Sequence, residues 1–346
     1  MNLSEAFEAQ SKACIRLGSP FMGQLLGILA HDWPCDSALG QKFAGFDGDI
    51  GPSGHSLPLR IAGGLHALVL NNAAPALTAV YPPAKVPDNA LRSAVLDALK
   101  THEPFLMKWC DSPPQTNEVR RSAALIAGAR VAVQHFNLPI CLSELGASGG
   151  LNLMWDHYAI ELTGRRIGSP MPAVILTPEW EGALPPDVPA RIVQRAGVDL
   201  NPLDPKRADH LLRLTAYLWA DQPDRLSMTR SAASITDAPI ARADAIDWLA
   251  PRLNKAPQGQ LHLVQHTVAW QYFPKNIQTR GRALIEAAGA RATPNRPLGW
   301  LSMESDGDTR GIIGAALTLR LWPGDLRFDL GRADFHGRWI NWEYAG

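Results

Sequence analysis

The first third of the chain places apolar residues three and four positions apart, which is the spacing of amphipathic helices. The segments "LSEAFEAQSKACIRL" and "SPFMGQLLGILAHDW" each contain a serine suited to cap a helix start. The same spacing continues in "LPLRIAGGLHALVLNN" and "ALRSAVLDALKTHEPFLMKW", with the proline-rich "YPPAKVP" between them. This pattern predicts a helical domain over residues 1–110.

The pattern changes further along, where short apolar runs alternate with helical segments. Such alternation is typical of a parallel sheet with crossover helices. The predicted strands lie at about 139–145, 191–199, 238–244, 260–266 and 298–304. The chain then closes with two runs around the turn Pro323 to Asp325, which predicts an antiparallel hairpin. Residues 111–346 are therefore expected to form an α/β domain.

A segment near residues 157–182 interrupts this alternation. It reads as two strands around "TGRRIGSP", placed where a crossover to the next strand would normally run directly. We interpret it as an inserted surface hairpin. The alternative is a flap over a ligand, since insertions at the carboxyl edge of an α/β sheet often form lids.

Charge and composition exclude several classes of protein. The 346 residues carry 33 basic and 33 acidic side chains, so no basic stripe for nucleic acid is expected. The polar start "MNLSEAFEAQ" is unlike a secretory signal, and the apolar stretches are too short to span a bilayer. The four cysteines show no Cys-x-x-Cys pair, which favours free thiols of a cytoplasmic protein over disulfides or zinc.

The segment "PICLSELGASGGLNL" ends a buried strand on Glu144 and continues in small residues. A loop from strand to helix presents backbone amides at a positive helix terminus, where ligands bind. A phosphate-binding P-loop would need Gly-Lys-Ser/Thr, and a dinucleotide fingerprint would need Gly-x-Gly-x-x-Gly; neither is present. What remains is acid-x-Gly-x-small-x-Gly, formed by Glu144, Gly146, Ser148 and Gly150.

Two further carboxylates end the next two predicted strands. Asp199 closes "RIVQRAGVD", and in a Rossmann-like sheet an acid there faces the ribose of a ligand. Asp244, followed by the small Ala245, closes the third strand and could accept from an adenine amino group. The alternatives are that Asp199 and Asn201 shape a turn before Pro202, and that Asp244 caps a helix.

These residues resemble motif I and its partners in class I S-adenosylmethionine-dependent methyltransferases. The resemblance implies a Rossmann-like methyltransferase sheet with a C-terminal antiparallel hairpin, preceded by a helical domain. It also implies that Glu144 meets the ammonium of the methionine part, while the glycines let that chain pass. The cofactor-binding set would then be Glu144, Gly146, Ser148, Gly150, Asp199, Asn201, Asp244 and Ala245.

Nearly the whole chain also resembles a bacterial family of uncharacterised function. The resemblance is carried by "QTNEVRRSAALIAGARVA", "LSELGASGGLNL", "GVDLNPLD", "LVQHTVAWQYFP" and "HGRWINW". Two departures from the methyltransferase pattern stand out: Gly149 replaces an expected Ala, and the long insertion delays Asp199. The resemblance implies a fold and a cofactor, but no substrate.

His266 ends the fourth predicted strand, where methyltransferases keep residues that face the acceptor. We therefore predict His266, with Tyr272 behind it, as the catalytic pair; the alternative is a histidine bonded to a backbone carbonyl. No metal is expected, because His262 and His266 lie four apart on a strand, about 13 Å distant. A serine hydrolase is disfavoured because no Gly-x-Ser-x-Gly occurs.

The segment before the motif I strand carries an unusual set of polar residues. Ser112, Pro113 and Gln115 match a capping box with proline at the first helical position, so a helix is expected to begin there. By resemblance, the helix at this place leans over the cofactor. The predicted substrate-binding residues are Gln115, Asn117, Glu118, Arg120, His55 and Arg60. The alternative reading is capping combined with interdomain salt bridges.

The sequence thus predicts an S-adenosylmethionine-dependent methyltransferase acting on a small acceptor. A non-catalytic module that binds S-adenosylmethionine or a nucleoside is the alternative, since no Asn/Asp-Pro-Pro-Tyr motif follows the fourth strand. A nicotinamide-dependent oxidoreductase is a third and weaker alternative, because the dinucleotide fingerprint is not present. No nucleic-acid or membrane partner is expected.

Overall fold

A computed structural model of the chain describes residues 1–51, 54–307 and 313–346. The chain forms two compact units, each with its own set of internal contacts. The helical unit comprises residues 1–116 and 206–227, and the sheet unit comprises residues 117–205 and 228–346. The helical unit therefore takes in a segment that lies far along the chain.

Within the described residues the helices and strands run in this order. The α-helices are α1 (Leu3–Arg16), α2 (Pro20–Asp32), α3 (Ala38–Ala44), α4 (Leu57–Leu70), α5 (Pro75–Thr78), α6 (Asp88–Thr101), α7 (Glu103–Trp109), α8 (Ser122–Phe136), α9 (Ala208–Ala216), α10 (Pro223–Ile235), α11 (Ala245–Asn254) and α12 (Lys275–Gly289). The strands are β1 (Ile140–Leu145), β2 (Tyr158–Leu162), β3 (Arg165–Gly168), β4 (Val174–Leu176), β5 (Glu179–Gly182), β6 (Ile192–Asp199), β7 (Ile240–Arg242), β8 (Leu261–Thr267), β9 (Leu298–Glu304), β10 (Ala315–Trp322), β11 (Leu326–Ala333) and β12 (Trp339–Trp342). The predicted helical N-terminal region and α/β class are confirmed.

The helical unit is organised around α4, which is apolar on nearly every side. Eleven of its fourteen residues are buried, as expected of a helix that is central to a core. The returning segment contributes Tyr217 and Trp219 to the same core. Tyr217 packs directly on Gly63 of α4, where an added Cβ would lie 2.4 Å from the ring. The small residue in α4 therefore makes room for an aromatic ring from α9's end.

The sheet unit is built on a nine-stranded sheet of order β5-β12-β11-β10-β9-β8-β1-β6-β7. The run β7-β6-β1-β8-β9 is parallel throughout, and it contains all five strands predicted from the sequence. From β1 the chain goes to β6 and β7 on one side, and then to β8 and β9 on the other. The order therefore reverses between β1 and β8, and in open α/β sheets ligands bind outside the carboxyl ends of strands at such a point.

Helices cover both faces of the parallel part. On one face, α11 and α12 pack Ile246, Leu249 and Ile285 against strand residues that include Trp300. The neighbouring Leu301 points to the opposite face, where α8 approaches so closely that a Cβ on Gly128 would lie 2.5 Å from it. Both faces being covered explains why the parallel strands are nearly continuous apolar runs.

The predicted C-terminal hairpin is present as antiparallel β10 and β11, which turn at residues 323–325. β12 then adds a third antiparallel strand, and β5 pairs with it in parallel at the edge of the sheet. The edge strand β5 comes from the insertion after β1, so this insertion completes the sheet.

The insertion contains four strands where two were expected, and the prediction is corrected here. Strand β3 occupies residues that were assigned to the turn, because Thr163 and Gly164, both with positive φ, reverse the chain immediately after β2. Strand β4 then pairs in parallel with β2 to give a small sheet of order β3-β2-β4. Apart from Glu161, the residues of β2 are buried, so the insertion is packed into the unit.

In the part of the chain that the structure describes, no helix combines the length and apolar character needed to cross a membrane.

Gly289, the last residue of α12, packs against the buried ring of Trp322. An added Cβ would lie 2.5 Å from two ring atoms, and a rigid indole cannot move aside as a flexible chain end can. We predict that Gly289→Ala destabilises the protein by about 1–2 kcal/mol, because overpacking outweighs the better helix propensity of Ala. Denaturant titration measures the effect.

The matched control is Gly27→Ala in α2, where a Cβ would meet nothing within 4 Å. This variant should be neutral or stabilised by up to about 1 kcal/mol. Equal effects at the two sites would contradict the packing explanation.

Candidate functional site

The carboxyl edge of the parallel strands gathers most of the residues that the sequence singled out. β1 ends at Leu145, β6 at Asp199, β7 at Arg242 and β8 at Thr267. Because parallel strands end at the same edge, the loops that follow them are neighbours. Contacts between these loops, described below, define the candidate site.

Glu144 is the central acidic group of this edge and is 2% exposed. It lies beside Gln265 of β8, whose amide donates a hydrogen bond to its carboxylate. Its second oxygen, Oε2, is buried and has no hydrogen-bond partner among the described residues. Burial, with a smaller contribution from the charge of Asp199, raises the pKa of Glu144 from 4.5 to about 8. Glu144 is therefore protonated at neutral pH in the ligand-free protein.

A buried polar network holds Gln265 in place beside Glu144. The Oε1 atom of Gln265 accepts from Trp155 Nε1 at 3.0 Å, and its Nε2 donates to the Asn152 carbonyl at 3.3 Å. Asn152 Oδ1 in turn accepts from Ser122 Oγ at 2.9 Å. All four side chains are at most 1% exposed. The buried polar atoms of these four side chains all have hydrogen-bond partners, whereas Glu144 Oε2 has none among the described residues.

Gly146 and Gly150, two of the predicted small positions, adopt positive φ angles of 69° and 75°. This conformation is easy only for glycine. Each also lies against a neighbour: a Cβ on Gly146 would be 2.6 Å from the Ala269 Cβ, and one on Gly150 would be 2.8 Å from Ile240. The loop after β1 thus touches the loop after β8 at the reversal point, and the start of β7 on the other side.

The backbone amides of the glycine loop are bound by the protein's own side chains, which corrects the expectation that they are available to a ligand. Asp199 Oδ2 accepts from the Ser148 amide at 2.9 Å. Asn117 Oδ1 accepts from the amides of Gly149 and Leu151 at 3.2 and 2.9 Å. Two further amides, of Ala147 and Gly150, donate to the carbonyls of Val198 and Ala147. These five amides therefore do not cradle an anion.

The loop also leads into a 3-10 helix, Leu151–His157, and not into the expected α-helix. A seven-residue 3-10 turn has no extended dipole to offer a ligand. The helix is short because the chain turns into β2 at Tyr158, whose hydroxyl donates to the Leu151 carbonyl at 2.7 Å. What the loop does offer is Ser148 Oγ, which is buried and has no partner.

Asp199 is a candidate ligand contact, and it also stabilises the loops after β1 and β6. Besides holding Ser148, its Oδ1 accepts from the Asn201 amide at 2.8 Å. The turn-shaping alternative is therefore realised for these two residues. Each carboxylate oxygen accepts one backbone amide and keeps one further lone pair.

Asp244 caps α11, as the alternative reading stated. Its Oδ1 accepts from the amides of Ile246 and Asp247 at 2.9 and 3.0 Å. The same oxygen binds Arg280 Nη2 at 2.8 Å, while Oδ2 makes no hydrogen bond with the residues that the structure describes. Ala245 is the first residue of α11.

His266 is 2% exposed and both of its ring nitrogens are engaged. Its Nδ1 lies 2.7 Å from Glu304 Oε1, and its Nε2 accepts from Trp300 Nε1 at 2.8 Å. The ring also stacks on Trp270, with centroids 5.1 Å apart. Tyr272, its predicted partner, is 62% exposed. Action of His266 as a base would require the Trp300 hydrogen bond to break.

Glu304, at the end of β9, was missed by the sequence analysis. It accepts hydrogen bonds from His266 and from the backbone amides of Ala269, Trp270 and Gln271. Burial raises its pKa, but the hydrogen bonds from His266 and from the backbone amides outweigh burial and leave the pKa below its ordinary value. An ionised Glu304 thereby fixes the loop after β8. The only feature of the sequence that pointed to Glu304 was its position at the end of the predicted strand 298–304.

The upstream cluster is arranged differently from the prediction, and the expected helix start at Ser112 is wrong. Residues 112–118 are not helical; a 3-10 turn, Val119–Arg121, precedes α8. The reason is the pair Pro113 and Pro114, since a residue before proline is kept out of the helical region. Glu118 Oε1 caps the turn by accepting from the Arg120 amide at 3.2 Å.

Of the predicted substrate-binding residues, Asn117, Glu118 and Arg120 belong to the sheet unit. His55, Arg60 and Gln115 belong to the helical unit. There Arg60 donates to the carbonyls of His55 and Cys110 at 2.8 and 3.0 Å, and its side chain is buried. Their neighbour Arg121, which was not among the predicted substrate-binding residues, donates to the carbonyls of Phe335 and Thr267 and is near enough to Glu144 to oppose the rise of its pKa.

Comparison with known proteins places the chain in a family but does not give it a function. Residues 4–342 match the family described as "Uncharacterized protein conserved in bacteria (DUF2332)". The chain belongs to this family. No curated protein and no solved structure matches it.

Asn117 holds two loop amides that have no other acceptor. We predict that Asn117→Ala lowers the free energy of unfolding by about 1–3 kcal/mol, because two buried donors lose their partner. Denaturant titration measures the loss. The control is Asn276→Ala at an exposed position of α12, which should change stability by less than about 0.5 kcal/mol. A loss no larger than that of the control would show that water replaces Asn117.

Glu144 should make stability depend on pH. Its folded pKa lies above its unfolded one, so the native state binds more protons between about pH 5 and 8, and stability falls as pH rises through that range. Glu144→Gln removes this loss. We therefore predict that the stability of the variant, relative to the natural protein, rises by about 1.4 kcal/mol per pH unit up to pH 8.

Urea titrations at pH 5, 6, 7 and 8 measure this difference. Parallel pH profiles for the two proteins would mean that Glu144 ionises normally. Other titrating groups are common to both proteins, so they cancel in the comparison.

Proposed function

We propose that the sheet unit binds S-adenosylmethionine at its carboxyl edge and transfers the methyl group to a small acceptor. The observation that carries this proposal is the orphan Glu144 Oε2 at the reversal point of the sheet, with the orphan Ser148 Oγ in the adjoining loop. A buried carboxyl oxygen without a partner is costly in the free protein. A ligand that donates a hydrogen bond or a positive charge would satisfy it.

The chemistry of Glu144 favours a cationic ligand group. Five backbone amides of its own loop are already bound and not available to an anion, and Asp199 adds a second carboxylate to the same loop. An ammonium of an amino-acid moiety would pair with ionised Glu144 and lower its pKa. Because Glu144 is protonated in the free protein at neutral pH, binding would release a proton from it.

The two other strand-end acids retain capacity for a nucleoside. Asp199 holds the loop with one lone pair of each oxygen, and the second lone pairs suit the two neighbouring hydroxyls of a ribose. Asp244 uses Oδ1 for the helix cap and for Arg280, and its Oδ2 can accept from an exocyclic amino group. Holding the loop and binding the ligand are therefore compatible tasks.

S-adenosylmethionine, when bound, supplies an activated methyl group on a sulfonium. The protein then has to orient the acceptor in line and exclude water, and an acidic acceptor needs no base. His266 is oriented by Glu304 and Trp300 near this edge. Its imidazole becomes a proton acceptor only if an acceptor molecule displaces Trp300 Nε1.

Binding without methyl transfer is the second candidate, and the hydrogen bonding of His266 favours it. Both ring nitrogens are occupied, and Tyr272 is exposed. A sensor or a structural ligand site would need Glu144, Asp199 and Asp244 but no base. Incubation with methyl-labelled S-adenosylmethionine and a small-metabolite extract separates the two: transfer of label supports the enzyme, and tight binding without transfer supports the module.

The binding test uses S-adenosylhomocysteine, which keeps the ammonium and the nucleoside. We predict that titration calorimetry in buffers of different ionisation enthalpy shows release of up to one proton per bound ligand at pH 7. Glu144→Gln should abolish this release and weaken binding about tenfold or more, as expected for loss of a charge-assisted hydrogen bond.

Glu8→Gln, at an exposed site of α1, is the matched control and should bind like the natural protein. Absence of binding to the natural protein would overturn the proposal. Unchanged affinity and proton release in Glu144→Gln would remove Glu144 from the site. Asp199→Ala is less informative, because it also frees the Ser148 amide.

A further inference from the structure

A pocket opens at the amino edge of the parallel strands, where β8 and β9 begin. Its cavity volume is about 50 Å³, and it lies between the starts of these strands and the ends of α11 and α12. Its polar lining consists of His262, Asn254, Arg291 and Arg296, and the rest is apolar or small. No acidic residue lines it.

His262 contributes a buried hydrogen-bond donor. It is 1% exposed, and its Nε2 lies 2.9 Å from Ser143 Oγ. Ser143 Oγ also accepts from Arg252 Nε at 2.9 Å, and we assign its own proton to His262 Nε2. In that arrangement Nε2 accepts and Nδ1 carries the ring proton.

Within the described part of the chain, the Nδ1 atom of His262 has no hydrogen-bond partner. Burial and the charge of Arg252 lower the pKa of His262 to about 3, so the ring is neutral and keeps this single donor. An unpaired donor at such depth is expected to have a ligand or water.

The two arginines provide positive charge at the same place. Arg291 is held by hydrogen bonds to the Ala287 carbonyl at 2.8 Å and to Asn254 Oδ1 at 3.2 Å. Arg296 is half-buried, and its guanidinium makes no hydrogen bond or ion pair with any described residue, although its backbone pairs with Thr293. The pocket therefore presents three hydrogen-bond donors: the fixed guanidinium of Arg291, the unpaired guanidinium of Arg296 and the imidazole N–H of His262. No carboxylate among its lining residues competes with a ligand.

We propose that this pocket binds a small anion through His262, Arg291 and Arg296. The shared chemistry is that of a phosphate group or a carboxylate, either of which accepts several hydrogen bonds from guanidinium and imidazole donors. The site is on the opposite edge of the sheet from Glu144, so it does not depend on the function proposed above.

Inorganic phosphate, acetate and chloride are compared at equal ionic strength as probes, on the full-length protein. Saturable stabilisation in thermal unfolding by phosphate or by acetate, beyond that of chloride, is the expected result. A larger effect of phosphate assigns the site to phosphate groups, and a larger effect of acetate assigns it to carboxylates. Equal effects of all three salts would overturn the proposal.

Arg296→Gln removes the unpaired guanidinium at a partly exposed position, where folding is not at risk. We predict that it weakens the effective anion affinity about tenfold. Arg16→Gln, which removes an exposed charge in the last turn of α1, is the control and should retain the affinity of the natural protein. Equal behaviour of the two variants would mean that the anion effect is general screening.

A direct readout is the ring nitrogen spectrum of His262. Addition of the effective anion should shift Nδ1 of His262 saturably in the natural protein, with the Nδ1–H tautomer retained. An unchanged Nδ1 signal at saturating stabilisation would place the anion elsewhere and reject the pocket. If S-adenosylhomocysteine did not bind near Glu144, all of these expected results at the anion pocket would still stand.

Discussion

The sheet unit depends on how the backbone amides after β1 find acceptors. In a regular strand-to-helix connection the next helical turn would leave these donors open to a ligand or water. Here a 3-10 helix follows, and side chains from two distant segments act as the acceptors: Asp199 from the end of β6 and Asn117 from before α8. Because buried amides without partners are costly, these two side chains fix the loop, and the loop fixes the surroundings of Glu144.

The loop after β8 is held by the same principle from the other side. Glu304 accepts three backbone amides and the His266 ring, so an ionised carboxylate replaces the missing regular structure there. Gly146 and Ala269 bring the two loops into contact at the reversal point of the sheet. The geometry of the candidate site is therefore set by carboxylates and an amide that organise loops, and these groups are not themselves available as bases.

The periodicity of the sequence was sufficient for the helical region, the five parallel strands and the closing hairpin, because apolar runs and helix spacing are local properties. It could not show that residues 206–227 join the helical unit, since an amphipathic helix does not specify which core it joins. The number of strands in the insertion was wrong because Gly164 lets the chain turn directly after β2. Strand-end acids were recognised by position, but whether Asp244 caps a helix or Asp199 holds an amide depends on partners that only the fold supplies. The roles of Gln265 and Glu304 could not be predicted for the same reason, although Glu304 also stands at a strand end.

The distribution of satisfied and orphan polar groups is the most informative property for function. Residues that sequence patterns mark as chemical, such as His266 and Asp244, are occupied by partners of their own. The buried atoms left without partners include Glu144 Oε2 and Ser148 Oγ at one edge of the sheet, and His262 Nδ1 at the other. They differ in kind: at neutral pH the first is part of a protonated carboxyl that a cation would ionise, and the last is a neutral donor beside two guanidinium groups. A carboxyl selects a cationic partner and a donor cluster selects an anion. The two edges should consequently bind ligand groups of opposite charge.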